Sequence, residues 1–200
     1  MKFTFSGVAA LAVLTAFQAL AHTGVAGGSG FAAGIGHPIG GLDHVLAMVA
    51  VGVLAAQMSM QTGRQSTLWL VPVSFVALMA VGGVLGMVGV AVPMVEQGIV
   101  GSVIILGAVI AWGRVMPQAA AMMFVGVLAV FHGHAHGTEM PLNASGVEYA
   151  AGFMLATASL HALGVGLGLS VQKVLSGSAP LAARIGGGVI ALGGLGLAVA

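Results

Sequence analysis

The sequence predicts an all-α fold, a polytopic bundle of transmembrane helices, and three observations carry that prediction. Apolar residues (AVILMFWYC) make up 59% of the 200 residues and charged residues 4%. An average soluble domain is about 25% charged, so five Lys/Arg and four Asp/Glu cannot solvate a globule of this size. The apolar residues also fall in long unbroken runs, not in the alternating ~10-residue segments of a β-barrel. Finally, Gly accounts for 34 residues, an excess that suits helices packed closely in lipid through small side chains. Together these exclude a soluble protein, a nucleic-acid binder and a disordered chain. Cysteine is absent, which removes disulfides, thiolate metal sites and cysteine nucleophiles.

Taken in order, the first element reads as a signal peptide. Lys2 is a short positive region, residues 7–17 are an apolar core, and Ala19-Leu20-Ala21 is an A-x-A cleavage site. Residues 1–21 are then a leader and 22–200 one transmembrane domain, with an uncleaved first helix as the alternative. A Gly-rich stretch, 23–36, follows. Crossing a ~30 Å hydrocarbon core takes about 20 apolar residues. Six segments qualify: 37–57, 67–92, 95–113, 117–136, 146–170 and 181–200. The breaks between them fall at Gln61–Ser66, at Pro93, at Arg114–Pro117, at Gly137–Ser145 and at Ser176–Pro180.

Charge sets the orientation. Cleavage puts the mature N-terminus in the periplasm, so the loops after the first, third and fifth spans are cytoplasmic. Those loops hold Arg64, Arg114, Lys173 and Arg184, every basic residue of the mature chain, as the positive-inside rule requires. Trp69, Trp112 and Tyr149 fall at span ends, in the manner of an aromatic belt. This places the protein in a bacterial inner membrane. The four carboxylates sort the other way: Asp43, Glu96, Glu139 and Glu148 all belong to the periplasmic half. An acidic mouth that concentrates cations accounts for that; chance among four residues is the alternative.

Two constellations carry chemistry. The first is His37-Pro-Ile-Gly-Gly-Leu-Asp43-His44. On a helix, residues seven apart share a face, which aligns His37 with His44 and puts Met48 one turn further on. Gly40 and Gly41 instead permit a broken start, of the kind found at transporter sites. Ionisable residues inside a span are functional candidates by default; the plainer account is an Asp43–His44 hydrogen bond that ties two helices. The second is Phe131-His132-Gly-His134-Ala-His136-Gly-Thr-Glu139. His132 and His136 have the i, i+4 spacing of a shared metal, and Glu139 continues the stripe. The plainer account is a solvated polar loop. His134 points elsewhere on a helix. The first span runs inward and the fourth outward, so the two motifs are expected to meet at one depth. His22, the expected first mature residue, offers an amine and an imidazole together, or is a frayed terminus. His161 lies mid-span, as a second metal station, a proton carrier or a packing residue.

Imidazole and carboxylate without thiolate fit Ni²⁺ or Co²⁺, and affinity alone does not exclude Cu²⁺ or Zn²⁺. The twelve Met raise Cu(I), but scattered through apolar spans they read as packing. No G-x4-G-K-[ST] phosphate loop is present. At the two His motifs the sequence resembles the HupE/UreJ family of nickel permeases. His37, Asp43 and His44 match its H-x5-D-H pattern. Phe131, His132, Gly133, Ala135, His136, Gly137 and Glu139 match its F-H-G-x-A-H-G-x-E pattern. The resemblance extends to length, leader and span count. It implies Ni²⁺ uptake, with Co²⁺ an option, supplying hydrogenase or urease maturation. His134 stands at a variable position of the pattern and blurs the metal preference.

The reading is therefore a non-ATPase permease carrying Ni²⁺ or Co²⁺ from periplasm to cytoplasm, with no resident cofactor. Its expected ligands are His37, Asp43, His44, His132, His136 and Glu139. A second tier is His22, Met48, Glu96, His134, Glu148 and His161. The rival readings are an intramembrane metalloenzyme or a metal sensor built on His132, His136 and Glu139. Spans one to three and four to six are candidates for an inverted pair, though no sequence repeat supports it. Gly82 and Gly86 form a GxxxG set suited to internal packing or to a homo-oligomer.

Overall fold

The computed structural model describes residues 30–140 and 145–200, so the leader reading and His22 lie outside the described residues. The described residues form seven α-helices in order: α1 (Gly30–Gly40), α2 (Leu42–Thr62), α3 (Thr67–Met87), α4 (Val95–Trp112), α5 (Gln118–Thr138), α6 (Gly146–Leu175) and α7 (Ala179–Ala198). A 3-10 turn, Ser176–Ser178, joins the last two. Among the described residues five stretches are long and apolar enough to cross a membrane: Leu42–Thr62, Thr67–Met87, Val95–Trp112, Gln118–Thr138 and a final 53-residue run, Gly146–Ala198. The chain is a multi-span helical bundle. The fifth and sixth segments read from the sequence lie in that final run, because only a short tight turn separates them.

Local chemistry sets the ends. Gly63 and Gly113 close α2 and α4 in the left-handed conformation, φ 70° and 69°, which glycine adopts without a Cβ clash. Pro117 precedes α5. Ser145 accepts the Glu148 backbone N–H, 3.5 Å, at the start of α6; Ser-x-x-Glu is a capping-box pattern.

The beginning of the bundle differs from the sequence expectation. The Gly-rich stretch before residue 37 is not all irregular, since helix begins at Gly30. The expected first span, 37–57, is instead split between α1 and α2 by a break at Gly41, extended at φ −100° and ψ 120°. There the Asp43 carboxylate folds back over the chain. A Cβ on Gly41 would lie 2.8 Å from Asp43 Oδ1 and 2.9 Å from His44 Nδ1, too close for any other residue without movement.

Helices pair through glycine. α3 lies beside α5, α6 beside both α1 and α2, and α4 beside α7. Gly82, Gly83 and Gly86 face the α5 backbone around Val130, Gly133, His134 and Gly137. A Cβ on Gly133 would overlap the Met79 carbonyl oxygen. The Gly82–Gly86 set is thus used inside the chain. Lipid offers little hydrophobic drive for helix association, so backbone-to-backbone approach of this kind supplies much of the attraction. The buried core between the helices includes Met48, Leu54, Met58, Phe75, Met79, Val103, Leu106, Ile110, Val125 and Ala129. Trp69, Met123, Val127 and Leu192 point outward.

The pairing has a two-fold relation between halves. Gly52 on α2 meets α6 at His161 and Gly164, and Gly164 meets α2 at Val49 and Gly52. In the other half, Gly133 on α5 meets α3 at Met79 and Gly83, and Gly82 meets Val130. By these contacts Gly52 corresponds to Gly133, 81 residues on, and Gly82 to Gly164, 82 residues on. Between α4 and α7 the relation is reciprocal: Gly107 meets Gly187 and Ala191, while Gly187 meets Gly107 and Ala111.

One end of the bundle collects acid and the other base. Asp43, Glu96 and Glu148 lie in the first turns of α2, α4 and α6, and Glu139 directly follows α5. Arg64 and Arg114 lie in the opposite turns. Arg184 joins them there, its Nε donating to the Ala111 carbonyl at 2.9 Å.

Candidate metal centre

At the acidic end four imidazoles meet. His37 ends α1, His44 begins α2, and His132 and His136 occupy the last turns of α5. The His44 ring lies 4.9 Å from that of His132 and 4.6 Å from that of His136, centroid to centroid. His37 lies 4.5 Å from His136 and 6.4 Å from His44. The i, i+4 spacing places His132 and His136 on one face of α5, and the Gly41 break brings both α1 and α2 onto it. The convergence expected of residues 37–44 and 132–139 is present.

The hydrogen bonds define each ring. Asp43 Oδ1 accepts the His44 backbone N–H and pairs with His44 Nδ1, each at 2.8 Å. A carboxylate only accepts, so Nδ1 carries the proton and Nε2 is bare. His44 Nε2 is buried without a partner among the described residues. Ser102 Oγ donates to the Ile99 carbonyl at 2.6 Å and lies 2.9 Å from His132 Nε2. A hydroxyl has one hydrogen, so this oxygen accepts from His132 Nε2–H, and Nδ1, also buried and unpaired, is left bare. His136 has neither nitrogen satisfied among the described residues and rests on the Phe153 ring, 3.8 Å between centroids. An unpaired buried donor or acceptor costs about 1–3 kcal/mol, and three rings with such atoms stand together here. His37 Nε2 lies 3.1 Å from Glu139 Oε2 at the rim, where both side chains are partly exposed.

As the rings stand, no group of three or more His, Asp or Glu side chains among the described residues is gathered tightly enough to hold one ion. The rings meet edge to face, with their free nitrogens not drawn to one point. Six expected ligands, His37, Asp43, His44, His132, His136 and Glu139, nevertheless share this end.

The second tier is scattered. Glu96 and Glu148 are exposed on their own helices, and Met48 is packed in the apolar core. His134 turns away, its Nε2 bonding the Val90 carbonyl at 2.7 Å and tying α5 to the α3–α4 turn. His161 lies deeper, against Phe75. Two neighbours escaped the sequence reading. Ser102 is a lone hydroxyl in an apolar span, which was its only signal. Tyr149, read as a belt residue, is buried with its hydroxyl unpaired and its ring 6.2 Å from that of His37.

The model of the family described as HupE / UreJ protein matches residues 9–197. Protein HupE of Rhizobium leguminosarum bv. viciae is 45% identical over 179 residues, covering 90% of this chain and 89% of that protein. No solved structure matches. The chain therefore belongs to the HupE/UreJ family, a family of membrane permeases and not of enzymes.

Proposed function

We propose that this permease carries a divalent transition-metal ion, Ni²⁺ or Co²⁺, from periplasm to cytoplasm. The observation that supports this best is the imidazole cluster. The His44, His132 and His136 rings, each with a buried nitrogen that has no partner among the described residues, lie side by side in a chain that is 4% charged. His37 and Glu139 stand at its rim, and Asp43 orients His44. Together these six replace the hydration shell of the entering ion. Imidazoles held by a carboxylate or hydroxyl on their other nitrogen are a recurrent ligand arrangement, and such ligands favour nickel-like ions over Mg²⁺ or Ca²⁺. Loosely gathered rings suit a cargo that must leave again. Exposed Glu96 and Glu148 draw cations to the mouth.

In this reading residues 1–21 are a cleaved leader, α7 is a sixth span and the acidic end faces the periplasm of a bacterial inner membrane. An inside-negative potential of 100 mV then favours entry of a double charge by roughly 4.6 kcal/mol. The cargo serves hydrogenase or urease maturation.

Uptake of ⁶³Ni²⁺ into proteoliposomes tests the reading, with Co²⁺, Zn²⁺ and Cu²⁺ as competitors. Saturable uptake, lost on His44→Ala and His136→Ala, is expected. Uptake unchanged in both variants, or absent from the native protein, would overturn it.

A further inference from the structure

Below the outer cluster the bundle holds one more imidazole. His161 lies on α6, twelve residues beyond Tyr149, or about 18 Å of helix from the rim. It is 2% exposed, and neither ring nitrogen has a partner among the described residues. Phe75 touches both levels. Its ring is 5.6 Å from that of His132 and 5.0 Å from that of His161. One turn before His161, Thr157 is fully buried, and its hydroxyl donates to Met79 Sδ at 3.7 Å, leaving the oxygen lone pairs open. Met79 follows Phe75 by one turn on α3. An imidazole and a hydroxyl one turn apart on α6 thus face a phenyl ring and a thioether one turn apart on α3, joined by the Phe75–His161 ring contact and the Thr157–Met79 hydrogen bond.

A packing histidine in such a place would be expected to bond a carbonyl or a hydroxyl, as His134 and His132 do. Native structures rarely leave both nitrogens of a buried ring unused. We propose that His161, with Thr157 and Met79, is a second, inner station for the divalent transition-metal ion, separated from the outer cluster by the Phe75 ring. This rests on the permease reading above. An ion leaving His132 passes Phe75 and is received by softer, fewer donors, which hold it less tightly. Beyond lies Gln57, whose side chain donates to the Ile110 carbonyl at 3.2 Å near the basic end.

The test uses the full-length protein in micelles and in proteoliposomes, with Co²⁺ as the spectroscopic probe and ⁶³Ni²⁺ as cargo. The native protein is expected to show two Co²⁺ absorption components that fill in sequence. His161→Leu should lose the weaker component and keep the stronger. Its maximal uptake rate should fall about tenfold, while KM changes by less than about twofold, because the entry site is untouched. A structural role predicts otherwise, since Leu fills the space and would leave both spectrum and rate unchanged; that result overturns the proposal. Thr157→Val, near in shape, decides the matter if the Leu variant does not fold. A clear fall in maximal rate at unchanged KM supports the station, and a native rate overturns it. A native protein that transports with only one Co²⁺ component would overturn the inner station alone. One that neither binds nor transports would overturn both readings.

Discussion

An imidazole has two nitrogens, and which one is bare depends on what holds the other. In this protein different residues do the holding. The Asp43 carboxylate fixes His44 with Nε2 free, and the Ser102 hydroxyl fixes His132 with Nδ1 free. Asp43→Asn preserves shape but removes the strong acceptor and permits the opposite tautomer. Metal affinity, read by isothermal titration with Ni²⁺, is expected to weaken about 10- to 100-fold. Ser102→Ala should weaken it less, because the partner lost is neutral and the ring remains packed against Phe75 and His44. Equal losses in the two variants would contradict this ranking. The histidines and carboxylates were legible in the sequence, since each is conspicuous in an apolar span. Ser102 and Tyr149 were not, because a single hydroxyl among apolar residues has no pattern until its neighbours are known.

Among the elements, glycine decides how closely the helices approach. The α3–α5 pair depends on Gly83 and Gly133, each facing the other helix's backbone. Gly133→Val inserts a branched side chain where the Met79 carbonyl already sits. It should force the two helices apart and lower the thermal midpoint by several degrees, a shift that fluorescence-monitored melting in detergent would detect. Gly36→Val, at a position with open space around its Cβ, is the control and should leave the midpoint near that of the native protein. If both variants melt alike, close backbone approach does not govern this pair. The helix ends were readable from Gly, Pro and Ser positions to within a few residues. The α1–α2 break was only an option in the sequence, where a continuous helix also aligned His37 with His44. The Asp43 side chain folding over Gly41 settled the choice, and that contact involves torsions no spacing rule supplies.

For the whole molecule, charge is sorted by end, with four carboxylates toward the His cluster and Arg64, Arg114 and Arg184 opposite. If the acidic end faces the periplasm, Glu96→Cys should react in intact cells with a thiol reagent that cannot cross the membrane. Arg64→Cys should react only after permeabilisation. The reverse pattern would invert the orientation. The two halves, α2–α4 and α5–α7, pack with matching glycine contacts, yet the site is not duplicated. At the separation that relates Gly52 to Gly133, His44 corresponds to Val125, His132 to Val51 and His136 to Ala55. The proposed ligands therefore belong to one end only. By itself, the sequence determined that the chain is helical and membrane-spanning, where most of its helices turn, and which side chains are candidates for the chemistry. Those properties follow from composition, apolar run length and local motifs. Tertiary structure alone decided that the halves pack as related units, that His134 is engaged elsewhere, and which nitrogen of His44 and His132 is bare. It also set His161 against Phe75. Apart from the Asp43–His44 pair, whose partners are neighbours, each of these depends on contacts between residues far apart in the chain, whose geometry is set by how closely glycine lets the helices come together.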